Sequence, residues 1–284
     1  NTRVNLVLAI ACAGLLVSLR IWFVASARSQ PFRQTATLGL AFGLPLLAAA
    51  AGLMAYNQAR FGSPFDFGYE YLITGPTIPE DPSRRTSTDY VIPNTFQYLI
   101  RPPEIQAEFP YIVVPWIKND MWPNILRLPR DYFYTEPVAS LLITVPLIGF
   151  GLLAAGRKGW LWLNGFAQPD RIPAGDRGLL NWLFVVLAGN IAFTVPVLLM
   201  FTQNTYRYLA DLTPPAVLLS VLVFAGLQTA PSGPERSFWR ICWTLGAFLA
   251  PIFGILIAVT GYQNAFERLN PGLYNRLVAL FPPW

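Results

Sequence analysis

Six apolar blocks dominate the chain, over residues 4–24, 36–56, 138–155, 179–200, 212–227 and 241–262. Crossing the roughly 30 Å of a bilayer's hydrocarbon takes about 20 helical residues, so each block is a candidate span. The third and fifth are short. The fifth opens on Pro214 and Pro215, which are expected to sit in a first helical turn, where the missing N–H groups have no partner to lose. Charged residues make up 12% of the chain against about 25% in a typical soluble domain. The expected fold is therefore an all-α polytopic membrane protein of about six helices. Residues 1–284 read as a single transmembrane domain with one large loop. Its immediate start on a span, without an initiating Met, suggests the later part of a longer chain.

Sparse charge still carries topology. The short links at 25–35, 156–178 and 228–240 hold eight Arg or Lys, among them Arg157, Lys158, Arg236 and Arg240. The long segment 57–137 has seven basic against ten acidic residues. By the positive-inside rule the short basic links face the cytoplasm and the long loop lies outside. The net charge of +5 comes from scattered residues with no basic run, so nucleic acid is not an expected partner. Arg20 is placed to snorkel at the inner end of the first span. Trp22, Tyr56, Trp160, Trp162, Trp182, Trp239, Trp243 and Tyr262 are expected as interfacial anchors.

The loop itself is neither a flexible linker nor a regular domain. It contains fifteen aromatic residues, and prolines recur from Pro64 to Pro129, interrupting any long helix or central strand. Short helices and extended pieces on the membrane surface are expected. One is a helix capped by Asn94 and stopped by Pro102 and Pro103. Glu80 and Asp81 read as an exposed charged turn, Asn190 as an interhelical hydrogen-bonding group, and residues 273–281 as a short interfacial helix.

No histidine is present, which removes the commonest general base and the usual triads. Cys12 and Cys242 lie in apolar runs and support neither a disulfide framework nor a thiolate metal site. No cofactor motif is evident, and no ligand cluster supports a divalent metal. Any acid–base chemistry falls to carboxylates.

Two stretches carry the remaining chemistry. The first, YNQARFGSPFDFGYEY at 56–71, has a Gly62-Ser63-Pro64 turn where a span leaves the bilayer, followed by aromatics alternating with polar residues. Arg60 there suits either an ion pair with Asp66 or Glu70 or an anionic headgroup. The second, YRYLADLTP at 206–214, places Arg207 and Asp211 four apart, on one helical face, where they can pair. Arginine's planar fork equally suits a phosphate at the outer leaflet, with the tyrosines adding donors.

These two stretches resemble the second half of bacterial multi-spanning glycosyltransferases of the GT-C class, related to dolichyl-phosphate-mannose protein mannosyltransferases and lipid A aminoarabinose transferases. The resemblance implies transfer of a sugar from a polyprenyl-phosphate donor to a lipid, glycan or protein acceptor on the extracytoplasmic side of the bacterial inner membrane. It implies Arg60, Tyr69 and Glu70 of the first stretch, and Arg207, Tyr208 and Asp211 of the second, as donor-recognition residues. The family's essential acidic residue of the first outer loop has no match here, so the catalytic base is unassigned and expected outside this chain. Competing expectations are a transporter or flippase of lipid-linked precursors and a noncatalytic assembly subunit. An absent inverted repeat and few polar midspan residues weigh against transport.

Overall fold

The four longest helices overlap four of the six apolar blocks. The computed structural model describes residues 14–20, 31–66, 85–116, 122–123, 128–129, 132, 136–154, 156, 174–202, 204–229, 233–260 and 264–283. In chain order the elements begin with α1 (Pro31–Phe61). A 3-10 turn (Thr88–Tyr90) then leads into α2 (Val91–Thr95) and a π-helical turn (Phe96–Ile100). A hairpin of β1 (Glu104–Ile105) and β2 (Ile112–Val113) follows, then α3 (Leu141–Thr144) and α4 (Pro146–Ala154). The chain continues through α5 (Ala174–Met200), α6 (Tyr206–Thr229), α7 (Pro234–Thr260), α8 (Ala265–Leu269) and α9 (Pro271–Leu280).

Four of these, α1, α5, α6 and α7, are long and apolar enough to cross a membrane. Of the other two expected spans, the first is described only at residues 14–20, which are helical. The third is not one helix. It divides at Val145 (φ −128°, ψ 68°), because Pro146 disfavours helical backbone in the residue before it. Pro214 and Pro215 also differ from expectation. The helix starts eight residues earlier, at Tyr206, so both prolines lie in its interior. They leave the carbonyls of Ala210 and Asp211 without their usual helical donors, a defect that packed membrane helices tolerate.

The α1 exit follows the turn signal. Gly62 adopts φ 76°, a left-handed conformation that glycine enters freely, and its N–H bonds the Gln58 carbonyl at 3.0 Å. The Asn57 amide donates to the Pro64 carbonyl at 3.3 Å and fastens the turn. Along α1 the apolar side chains stay exposed, as in Leu40, Leu44 and Leu47. That surface suits lipid rather than water.

Helices α4, α6 and α7 meet at small residues. A Cβ on Gly246 of α7 would lie 2.7 Å from the Leu147 backbone nitrogen of α4. A Cβ on Gly151 of α4 would overlap Ser220 of α6. The glycines therefore let backbones touch, the usual basis of helix association in lipid. Ser220 Oγ donates to the Leu147 carbonyl (2.6 Å) and accepts from Trp243 Nε1 (2.8 Å), while Trp243 stacks on Phe224 at 4.0 Å. Trp243 is thus packed between helices. Arg20 does find an aromatic end-group, lying over the Trp182 ring at 5.9 Å.

The loop is tied to the bundle by buried polar side chains. Asn94 does not cap its own helix, because the helix begins at Val91 and takes Asn94 into its interior. Its fully buried amide donates instead to the carbonyls of Leu199 (2.8 Å) and Phe201 (2.6 Å), groups left free where α5 ends. The Tyr132 hydroxyl donates to Asn94 Oδ1 (2.7 Å) and accepts from Asn204 Nδ2 (2.6 Å). Burial holds the Tyr132 phenol well above its ordinary pKa, so it stays protonated and can keep donating. The expected C-terminal helix is present as α9, preceded by α8. Phe281 stacks on Phe109 at 5.4 Å, and Tyr111 donates to the Pro282 carbonyl at 2.8 Å, joining the C-terminal helices to the hairpin.

Candidate functional site

A cavity of about 810 Å³ opens where the loop meets the ends of α6 and α7. One wall is apolar and comes from α7. Ala250, Gly254 and Ala258 recur every fourth residue, with Ile257 beside them. A Cβ placed on Gly254 meets nothing within 4 Å, so the small residues leave this space open. The opposite wall carries Pro137, Thr144 and Val145, and β2 leads into Val114.

The polar end is built by Glu136, Tyr206 and Arg207. Glu136 is held at the last step of the loop. Its N–H bonds the Asn204 carbonyl at 3.0 Å, and the following Pro137 keeps it out of helical backbone. An Arg207 guanidinium nitrogen lies 3.5 Å from a Glu136 carboxylate oxygen. The carboxylate is largely covered, at 12% exposure, whereas Arg207 is 65% exposed and reaches open space. Burial raises the Glu136 pKa above the ordinary carboxylate value. Arg207 and the Tyr206 backbone N–H, at the start of α6, pull the other way without cancelling that effect. Structurally, Glu136 also serves as an anion at a helix N-terminus, a favourable position by itself.

Behind this wall sits a second cation. Arg101 is buried and donates to Gln97 Oε1 (3.2 Å) and to the Pro115 carbonyl, next to the cavity-lining Val114. Burial lowers its pKa, while Tyr206 and Glu104 partly restore it. The Tyr206 hydroxyl accepts the Ala139 N–H at 2.7 Å, so the phenol is fixed between the cavity and this guanidinium.

The sequence-derived candidates separate in space. Arg207 lies on the cavity, but its ion pair is with Glu136, not Asp211. Asp211 is half-buried one turn further along α6 and does not line the cavity. Tyr208 packs into the core, its ring edge-on to Phe201 at 5.5 Å. Tyr206, two residues earlier and therefore on another helical face, is the tyrosine that reaches the cavity. Arg60 lies over the rings of Tyr56 (5.8 Å) and Phe61 (5.2 Å) and bonds the Tyr56 hydroxyl, away from the cavity lining. Tyr69, Glu70, Glu80 and Asp81 lie outside the described residues. Glu136 and Arg101 were not singled out from sequence. The available signal for Glu136 was a carboxylate followed by proline at the edge of an apolar block. Among the described residues no three His, Cys, Asp or Glu side chains converge as a metal site. The chain matches no protein-family model, no curated protein and no solved structure.

Proposed function

We propose that this chain is a membrane glycosyltransferase, or the C-terminal portion of one, that moves a sugar from a polyprenyl-phosphate donor to an extracytoplasmic acceptor. The observation that carries the reading is the Glu136–Arg207 pair at the polar end of an otherwise apolar cavity, beside membrane-length helices. An isoprenoid chain suits the wall of small and aliphatic residues on α7, and a phosphate suits the exposed fork of Arg207.

In this reading Glu136 takes the proton from an acceptor hydroxyl. The acceptor oxygen forms a bond to the sugar's anomeric carbon as the carbon–oxygen bond to phosphate breaks, and polyprenyl phosphate leaves with the electron pair. Arg207 stabilises that leaving anion. A carboxylate with a raised pKa is a better base than an ordinary one, which is what burial provides here. Arg60 is proposed as a separate headgroup contact at the end of α1. The loop end of the bundle is proposed to face the outside of the bacterial inner membrane. Arg177, Arg236 and Arg240, which lie at the opposite ends of α5 and α7, support that placement.

The test is transfer from a radiolabelled polyprenyl-phosphate sugar by the full-length protein in vesicles. Loss of transfer in both Arg207→Ala and Glu136→Gln is expected. Unchanged transfer in both would remove the assignment.

A further inference from the structure

We propose that a recess between the hairpin and the C-terminal helices is a carbohydrate subsite that takes a single pyranose ring. The recess measures about 140 Å³ and lies beside the large cavity where β2 ends. Val113, the last residue of β2, lines the recess, the following Val114 lines the cavity, and Thr260 borders both. Thr260 Oγ1 donates to the Ile112 carbonyl at 3.0 Å, closing the partition between the two spaces.

The chemistry of the lining selects the ligand. Gln106 and Asn264 bring amides, each with donors and an acceptor, Glu267 brings a carboxylate, and Tyr274 brings an aromatic surface with a hydroxyl. Vicinal ring hydroxyls need donors and acceptors together and an apolar face to rest on, and this set supplies all three. A small cation would need acceptors alone. Asn264 stands in the left-handed region (φ 53°) at the start of α8 without using its side chain as a cap, which leaves its amide for another partner. Pro110, Val113 and Val259 supply the apolar lining.

Carbohydrate binding here is independent of the transferase reading. Its assignment as the acceptor subsite, one partition away from Glu136 and Arg207, rests on that reading.

Saturation-transfer NMR on the full chain in lipid nanodiscs tests the proposal, with the methyl α-glycosides of glucose, mannose and galactose as probes and tetramethylammonium as the cationic control. At least one glycoside should receive saturation. Glu267→Gln, at an exposed position that should not disturb folding, and Val113→Trp, which fills the recess, should each weaken binding about tenfold or more. Arg207→Ala should leave it unchanged. Absence of transfer to all three glycosides, binding that survives both substitutions, or displacement of the glycoside by tetramethylammonium would overturn the subsite. Glycoside binding as expected without sugar transfer from the lipid carrier would keep the subsite and discard the transferase reading. Sugar transfer without glycoside binding would do the reverse.

Discussion

Arg60 and Arg207 are the same residue type at the ends of two membrane-length helices, each next to a tyrosine, yet the tertiary structure treats them differently. Arg60 rests on the rings of its own helix, Tyr56 and Phe61. Arg207 meets Glu136, a residue 71 positions earlier in the sequence, at the mouth of a cavity. A local cluster of aromatics gives an arginine a resting place at the interface. A buried carboxylate brought from a distant segment gives it an electrostatic environment that chemistry can use.

That contrast breaks most directly at Arg207. Arg207→Ala should lower kcat/KM for transfer by about 10²–10³-fold, the typical loss when one donor to a developing anion is removed. Equal losses in Arg207→Ala and Arg60→Ala, measured side by side, would erase the distinction between the two ends.

Next in size is the anchoring of the loop that delivers Glu136. Asn94→Leu strands the carbonyls at the end of α5 and the Tyr132 hydroxyl, and should destabilise the protein by about 2–3 kcal/mol. Denaturation in detergent would show it as a lowered midpoint. The matching change at Asn57, which fastens only the turn after α1, should cost about 1 kcal/mol.

Filling the cavity should act without unfolding the protein. Gly254→Leu adds a side chain where a Cβ has free space, and should raise KM for the lipid donor about tenfold with little change in thermal midpoint. By contrast, Gly246→Leu forces α7 off the Leu147 backbone and should lower the midpoint itself.

Glu136 gives a pH signature that Arg60 cannot. Its folded pKa lies above its unfolded value, so burial favours the protonated form. The associated stability is fully present below the ordinary carboxylate pKa and is lost as pH rises through the raised one. Relative to Glu136→Gln, the wild type should therefore lose stability across that window. Transfer activity should run oppositely, appearing only as Glu136 ionises, with an acid limb above the ordinary carboxylate value. The smallest effect is expected for Arg60→Ala, a few-fold rise in KM for the donor with kcat unchanged, because only an exposed headgroup contact is removed.

Much of the helical layout was legible because hydrophobic continuity is a local property. The four long helices α1, α5, α6 and α7, the glycine turn at Gly62 and the C-terminal helix can each be read from a short window of sequence. Some departures were local, as where Pro146 divides the third block, but those at single side chains came from partners far along the chain. Asn94 looks like a local cap, but its helix begins at Val91, and its side chain instead joins Leu199, Phe201 and Tyr132. Trp243 was legible only as an aromatic near a span's end, whereas Ser220 and Phe224 on the preceding helix hold it. Tyr208 and Tyr206 are equivalent in sequence, and only the orientation of α6 decides that Tyr206 faces the cavity.

By itself, the sequence determined where the long apolar helices form: four are long and apolar enough to cross a membrane, and α1 leaves its apolar side chains exposed. The absence of histidine, a matter of composition alone, removed the commonest general base. Which carboxylate stands at the cavity was decided only by tertiary structure. Asp211 lies one helical turn from Arg207, the nearer choice by sequence spacing. The loop nevertheless brings Glu136 to the start of α6, where the Tyr206 N–H and the Arg207 guanidinium converge on a largely covered carboxylate.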